Sequence, residues 1–311
     1  MKYTFNWKLF KKHFKRDWQL HLLVLFPVIY LVFFDFIPMY GYEMSFRDFR
    51  PALGIIGSDW VGLKWFERFL GYHEFARVFL NTLRISLWSF ACFPVPIIYA
   101  LFLHAMRSER YKNVVQTISY MPHFISTVIL VGIVHMILSP TSGIYASMYK
   151  LFGGTGYPED IRFVSQTFIP IYILSGLWQD LGWESIIYVA ALSSVSQELH
   201  EAAEIDGANR IKRMIHIDIP AITPTICILF VMGCCNIISV GMEKVYLMQS
   251  AYNLSMTEII STYVYKTGLK SLRSYSYGTA VGLFNTAINM SIMVVVNSIV
   301  RKATDGEISL Y

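Results

Sequence analysis

The chain of 311 residues is 55% apolar and only 15% charged, with a formal net charge of +5. Soluble domains usually carry about 25% charged residues, because charge keeps their surface in water. This composition argues against a soluble enzyme, a nucleic-acid-binding protein or a disordered protein. Aromatic residues make up 16% of the chain, which suits a protein that meets lipid at its interfaces.

Six apolar runs are long enough to cross a bilayer, for which a helix needs about 20 residues. Because lipid offers the backbone no water, each run is predicted to be helical, and the fold class is all-α. The first run follows a basic arm, as in a signal peptide, but it is too long and lacks a cleavage site, so we expect it to be retained. The predicted spans are residues 20–40, 79–103, 115–138, 168–192, 221–240 and 277–300.

Lys and Arg residues near the span ends predict the orientation. They cluster in the arm 1–19, in two short loops and at the start of the tail 301–311. The three other loops, 41–78, 139–164 and 241–276, are expected on the outer side, and they can hold short amphipathic helices, for example around Val61–Leu70. They contain eleven Lys or Arg but are longer, and long loops count for little under this rule. We therefore expect both termini in the cytoplasm and a six-helix membrane domain over 20–300 of a multi-pass protein.

The loop 193–220 carries the most informative pattern. Ser194 and Gln197 match the S-x-x-Q capping box that opens a helix, and Gly207 can adopt the backbone that ends one. A second, basic helix is predicted to follow, until Pro220 stops it and opens the next span. The first helix places four residues on one face: Leu199, Ala202, Ala203 and Asp206. The loop is either an ordinary helical connection or a docking element for a cytoplasmic partner.

The spacing within this loop resembles the EAA motif of ABC-importer permeases, EAA-x₃-G-x₉-I-x-L-P. Ile219 stands where that family usually has Leu. The matching positions are Glu201, Ala202, Ala203, Gly207, Ile217 and Pro220. In that family this loop, called here the coupling loop, forms the helices that sit in a cleft of the ATPase subunit. The resemblance implies the following coupling residues: Glu201, Ala202, Ala203, Asp206, Gly207, Asn209 and Pro220.

Other stretches resemble the permeases of carbohydrate importers. Residues 59–66 are similar to a WVGLxNF element, with Trp65 in place of the usual Asn, and residues 81–83 resemble the NTL that opens the permease core. Residues 120–126 look like the YxPHFIS stretch of the LplB-type subgroup, which handles oligosaccharides, and the C-terminal stretch from residue 275 also resembles that subgroup. Together these elements resemble a type I ABC importer permease.

The resemblance implies a set of partners and a mechanism. The permease would pair with a second, homologous permease as a heterodimer and dock on two nucleotide-binding ATPase subunits. An extracellular binding protein would deliver the oligosaccharide, and alternating access would carry it across the lipid. No nucleic acid is expected as a partner.

Catalytic patterns are missing from the sequence. It contains no phosphate-binding loop, dinucleotide fingerprint, HExxH or GxSxG, so we predict no catalytic residues. His123 and His135 share one predicted span at a spacing that does not suit a metal. The four cysteines lie in apolar runs, as core residues do. We expect no metal site and no cofactor in this chain; ATP and Mg would bind to the partner ATPases.

The fourth span contains polar residues that are costly in mid-membrane. Asp180 and Glu184 are four positions apart and share one helical face, with Trp183 beside it and Trp178 partly around the helix. Carboxylates accept hydrogen bonds from sugar hydroxyls and aromatic rings stack on sugars, so these residues are candidates for the substrate path. Asn285 and Asn289 on the last span are further candidates. A structural role, as a helix cap, an ion pair or a contact between helices, is the alternative for each.

Three other functions are left open by the residues. An ABC permease for amino acids or peptides would also suit a path lined by carboxylates. An ion-coupled secondary transporter often shows inverted repeats, and none is visible here. A membrane-embedded enzyme built on Asp180, Glu184 and His135 would lack any known catalytic spacing.

Overall fold

The computed structural model describes residues 16–271 and 274–304, and the side chains at 269–271 and 303 are outside that description. Helices dominate these residues, as the sequence predicts. Most of the basic arm 1–19 and of the tail 301–311 lies outside the described residues, so the predicted domain boundaries and orientation there stay predictions.

The first half of the chain forms an N-terminal helix, a hairpin and a series of helices. Its elements are α1 (Trp18–Leu31), a π-helical turn (Val32–Phe36), an α-helical turn (Ile37–Met39), a 3₁₀ segment (Tyr40–Phe46), β1 (Arg47–Arg50), β2 (Gly54–Trp60), α2 (Lys64–Leu70), α3 (Phe75–Ala91), α4 (Pro94–His104), α5 (Glu109–Tyr120), a 3₁₀ turn (Met121–Phe124), α6 (Thr127–Ile137) and α7 (Ile144–Leu151).

The second half contains the longest helices and the coupling loop. Its elements are α8 (Phe168–Leu192), α9 (Gln197–Ile205), α10 (Arg210–Arg213), a π-helical turn (Met214–Asp218), α11 (Ile219–Cys234), α12 (Met242–Met248), α13 (Leu254–Thr257), α14 (Ile260–Val264), a π-helical segment (Tyr265–Ser271) and α15 (Tyr275–Ala303).

Within the described part of the chain, four helices are long and apolar enough to cross a membrane, or five if one bent pair is a single span. The four helices are Trp18–Phe46, Phe75–His104, Arg210–Cys234 and Tyr275–Lys302. Helix α8 is also long enough, with 25 residues, but its polar side chains lower its mean hydropathy. Each of the six predicted runs coincides with one of these helices or with the bent pair.

The third predicted span is not one continuous helix. Glu109–Phe124 and Thr127–Ile137 meet at 103°. Pro122 lies in the 3₁₀ turn just before the break, and Ile125 in the break has extended backbone, so the ladder of helical hydrogen bonds is interrupted there. The bend directs residues 121–125 toward the middle of α8, and this placement matters for the site described below.

A two-stranded antiparallel sheet is the second departure from the all-α prediction. Strands β1 and β2 pair with Arg47 opposite Trp60, and a register shift follows between Asp48 and Arg50. The short helix α2 lies where the sequence predicts an amphipathic helix. Its Trp65 is buried and donates an Nε1–H bond to the Arg47 carbonyl oxygen at 2.9 Å, so the hairpin is fixed to the helical body.

The region 241–276, predicted as an outer loop, folds back into the protein. Val245 on α12 and Ile260 on α14 are fully buried, and Ile260 packs with Tyr263 and Tyr277 in one of the hydrophobic clusters. The hydroxyls of Tyr263 and Tyr277 are 2.8 Å apart and share a hydrogen bond. The sequence does not predict this inward packing, in which the short helices bury their apolar side chains against neighbouring helices such as α3 and α15.

A close crossing of α5 and α8 depends on Gly182. A Cβ atom at this position would lie 2.3 Å from the Ser119 carbonyl oxygen, which is backbone and cannot turn away. We expect Gly182→Ala to lower the stability of the permease by about 1–3 kcal/mol through overpacking. The measurement is the thermal unfolding midpoint of the purified transporter in detergent.

Gly132→Ala provides the matched control for this prediction. Gly132 lies within helix α6, and no heavy atom of the described residues would come within 4 Å of its Cβ, apart from those of its chain neighbours and its own helix backbone. There alanine is the better helix former, so stability is expected to stay the same or to rise slightly. Equal midpoints for the two variants would contradict the close crossing.

Candidate functional site

A groove of about 940 Å³ runs along α8. Its walls come from α3, α4, the start of α6, α8, α11 and the segment that leads into α12. Asp180, Trp183 and Glu184 all line it, as the sequence predicts for a polar face of the fourth span. Ser86, Gln179 and Asn236 add further polar groups to a surface that is otherwise mostly apolar. Such a mixture is typical of a ligand site.

Side chains of the bent span brace two residues of this wall, Asp180 and Trp183. His123 Nδ1 lies 2.8 Å from Asp180 Oδ1, so the imidazole donates a hydrogen bond to the carboxylate. The His123 ring stacks on Trp183 with centroids 4.4 Å apart and an interplanar angle of 3°. Phe124 meets the same indole edge-on. These contacts fix the indole, which is still 45% exposed, in one orientation.

Lys244 is a functional candidate that the sequence analysis missed. It is only 9% exposed, and among the described residues that line the groove it is the one Lys or Arg. Its Nζ donates a hydrogen bond to the Tyr172 carbonyl oxygen at 2.9 Å and lies 4.7 Å from the Tyr172 ring centroid. No sequence signal separates Lys244 from the other cations of 241–276, because only the inward fold of that region buries it.

Three sequence candidates for the substrate path lie away from the groove lining. Trp178 is half exposed on another side of α8. Asn289 is buried and binds the chain beyond the end of α11: its Oδ1 accepts from the Ile238 N–H and its Nδ2 donates to Ser239 Oγ. Asn285 is half-buried on the same helix. A contact with substrate therefore stays a prediction for these residues, and Asn289 has a visible structural role.

The coupling loop projects a short exposed helix. Helix α9 begins at Gln197, and Ser196 is its N-cap, with Oγ accepting from the Glu198 N–H at 3.2 Å. The predicted capping box is wrong by two positions, since Ser194 Oγ donates instead to the Ala191 carbonyl at the end of α8. Ile205 is 87% exposed. An exposed apolar side chain on a short helix is what a docking surface requires.

Most of the predicted coupling residues lie on the second half of α9 or just after its end. Glu201, Ala202, Asp206 and Gly207 are exposed, and Ala203 is half-buried. Gly207 has φ +77° and ends α9, as its residue type predicts. Asn209 then caps α10, because its Oδ1 accepts from the Lys212 N–H at 2.9 Å. The loop therefore consists of two capped helices that meet at a glycine turn.

Pro220 does not stop the second helix, contrary to the prediction. The chain is helical without a break from Arg210 to Cys234. A π-helical turn over Met214–Asp218 precedes Pro220, which sits in the first turn of α11. The wider turn accommodates a residue that has no N–H to donate. The coupling loop thus runs into the membrane helix α11 as one continuous helix.

The fold and these two sites define a class of protein: a multi-pass membrane permease with a polar groove and a separate, exposed short helix. The comparisons with known proteins agree. Residues 93–305 match the family described as the binding-protein-dependent transport system inner membrane component. The chain belongs to this family and is the non-catalytic permease subunit of an ABC importer.

Individual relatives match over nearly the full length. The chain is 40% identical to the polygalacturonan/rhamnogalacturonan transport system permease protein YteP of Bacillus subtilis (strain 168), over 94% of this chain and 90% of that protein. It is 38% identical to the LplB protein of the same organism, over 93% and 90%. A crystal structure of a bacterial alginate ABC transporter in complex with an alginate pentasaccharide-bound periplasmic protein has a chain that aligns with a TM-score of 0.85 and 34% identity, covering 96% and 99%. The resemblance inferred from the EAA motif is confirmed.

Proposed function

We propose that this permease forms one half of the translocation path of an ATP-driven oligosaccharide importer in a bacterial plasma membrane. A second, homologous permease completes the path. Two ATPase subunits bind ATP and Mg and dock on the coupling loop, and an extracellular binding protein delivers the sugar. The observation that carries the proposal is the groove along α8, with the fixed indole of Trp183 beside Asp180 and Glu184.

The groove chemistry supports a sugar as the transported molecule. Sugars present hydroxyls, which donate to carboxylates, and flat C–H faces, which pack on aromatic rings. Trp183 supplies such a ring and Asp180 such a carboxylate, and both belong to the same groove wall. The relatives support the same class, because their names refer to polygalacturonan, rhamnogalacturonan and alginate, and that of a more distant one to arabinooligosaccharides.

The proposed coupling mechanism depends on the continuous helix that joins α10 to α11. A motion imposed on α9 by the ATPases passes through the glycine turn at Gly207 into α10, and from there along that continuous helix into α11. Helix α11 is also a wall of the groove. Closure of the ATPases would therefore move one wall of the groove relative to α8, which is the motion that alternating access needs.

Uptake by the native host tests this proposal. We expect deletion of the gene for this permease to abolish uptake of labelled oligosaccharides from a panel of oligogalacturonides, alginate oligomers and arabino-oligosaccharides. Re-expression should restore it. Uptake should be lost when ATP is depleted and persist when only the ion gradient is collapsed.

Amino acids and dipeptides serve as the matched control substrates. Their uptake is expected to be the same with and without the permease. A deletion strain that takes up every oligosaccharide normally but loses amino-acid or peptide uptake would contradict the proposal and favour the alternative ABC substrate. Uptake driven by the ion gradient alone would favour a secondary transporter.

A further inference from the structure

The coupling loop is joined to the membrane helices by a cluster that the transport mechanism does not use. Three side chains from distant positions meet there: His104 at the end of α4, His200 on α9 and Asp218 at the end of the π-helical turn. Asp218 is 2% exposed, and both histidines are partly buried. Such a buried carboxylate needs a positive partner, because an isolated charge is costly out of water.

The distances within the cluster suit a shared cation better than hydrogen bonds. His200 Nε2 lies 3.1 Å from Asp218 Oδ1, and His104 Nε2 lies 3.9 Å from the same oxygen. Yet His200 Nε2 and Asp218 Oδ1 are both buried without a hydrogen-bond partner among the described residues, so the close pair is not aligned for donation. Ligands around a tetrahedral zinc ion with bonds of about 2.0–2.1 Å stand roughly 3.3 Å apart. The two observed nitrogen–oxygen distances, 3.1 and 3.9 Å, lie on either side of this ligand–ligand distance.

The donor set identifies the class of ion. Two imidazole nitrogens and one carboxylate oxygen suit zinc and similar divalent transition metals, and poorly suit calcium or magnesium, which prefer oxygen ligands. Three protein ligands leave a fourth position for water. Two neighbouring cations have carboxylate partners outside the cluster, since Lys112 faces Glu109 at 3.9 Å and Arg213 pairs with Glu204 at 2.8 Å. Neither forms an ion pair with Asp218, whose ion-pair contacts within the described part of the chain are to the two histidines.

We propose that His104, His200 and Asp218 bind a divalent transition metal ion, with zinc as its representative, at the base of the coupling loop. The ion links α9, which carries the coupling residues, to the ends of α4 and α11. It thereby adds a direct link from α9 to two membrane helices, besides the chain connection through the glycine turn and α10. The sequence analysis predicted no metal site, because residues 104, 200 and 218 show no metal spacing along the chain.

The test uses the purified transporter complex, stripped with a chelator and then loaded with zinc chloride. We expect wild-type complex to retain one more zinc ion per copy of this chain than His200→Gln or Asp218→Asn complexes, with at least about a tenfold loss of affinity in each variant. The difference between complexes removes any contribution of the partner subunits. The matched control is His216→Gln, since His216 lies on the same loop, is exposed and contacts only the Lys212 carbonyl among the hydrogen bonds described. It should bind zinc as the wild type does.

Cobalt chloride gives a second measurement that does not depend on a variant folding. Cobalt in a site of this kind is expected to show the intense visible absorption of tetrahedral coordination in the wild-type complex, and zinc should displace that absorption. Absence of the cobalt bands in the wild type would overturn the proposal. Equal zinc content and affinity in the wild type, His200→Gln and Asp218→Asn would overturn it as well. Both experiments measure binding, so their failure would leave the transport function untouched.

Discussion

Replacing Gly207 with Val is expected to lower ATP-driven uptake at least about tenfold while the permease still inserts and assembles in the membrane. Gly207 has φ +77°, a conformation that costs an ordinary L-residue about 1–2 kcal/mol. A tenfold loss corresponds to about 1.4 kcal/mol. No described heavy atom beyond its chain neighbours would lie within 4 Å of a Cβ at this position, so the substitution disturbs the turn and the docking surface but not the core. Uptake and ATPase activity of the reconstituted complex are the measurements.

Gly156→Val separates coupling from backbone strain. Gly156 has φ +78° and an equally open surrounding, but it lies in the loop before α8, while Gly207 follows the far end of that helix. The same strain there should leave uptake near the wild-type level.

Gly207→Asp and Glu201→Lys, which change the charge of the docking surface, should reduce uptake like Gly207→Val. If Gly156→Val and Gly207→Val reduced uptake to the same degree, the coupling role of the glycine turn would be wrong.

Trp183→Ala is expected to raise the substrate concentration for half-maximal uptake by about two- to tenfold. Aromatic pairs contribute roughly 0.5–1.5 kcal/mol beyond the area they bury. The substitution removes the ring that could stack on a sugar and also the ring that holds His123 beside Asp180. Trp183→Phe keeps an aromatic face, so its substrate concentration for half-maximal uptake should lie between those of the wild type and Trp183→Ala. Glu184→Gln, which removes an acceptor charge from the same wall, should also weaken uptake.

Trp178→Ala is the control on the same helix. Trp178 is about as exposed as Trp183, yet it does not line the groove. Its removal should change neither uptake nor assembly, and ATPase docking should persist in all these variants. A larger loss of uptake in Trp178→Ala than in Trp183→Ala would mean that the path runs along the other side of α8, as the sequence alone allowed.

The parts that sequence predicts well are those with local causes. The apolar runs predict where the long helices lie, because burying a backbone in lipid requires a helix about 20 residues long. The coupling loop is predicted in detail, since Gly207 and Asn209 act on their immediate neighbours through a left-handed turn and a cap. The errors in that loop are also local. Ser196 outcompetes Ser194 as the cap, and the π-helical turn allows Pro220 to continue a helix that it was expected to stop.

By itself, then, the sequence determined that this protein spans a membrane with helices, belongs with ABC-importer permeases, and has a loop that turns at Gly207. Only the tertiary structure decided which side chains of distant segments are in contact. The bend near Pro122 brings His123 onto Trp183, the inward fold of 241–276 buries Lys244 in the groove, and helix packing gathers His104, His200 and Asp218. Hydrophobic periodicity and turn chemistry act over a few residues. Most of these contacts join positions 60 to 114 residues apart along the chain, and even His200 and Asp218 are 18 apart, so only packing can specify them.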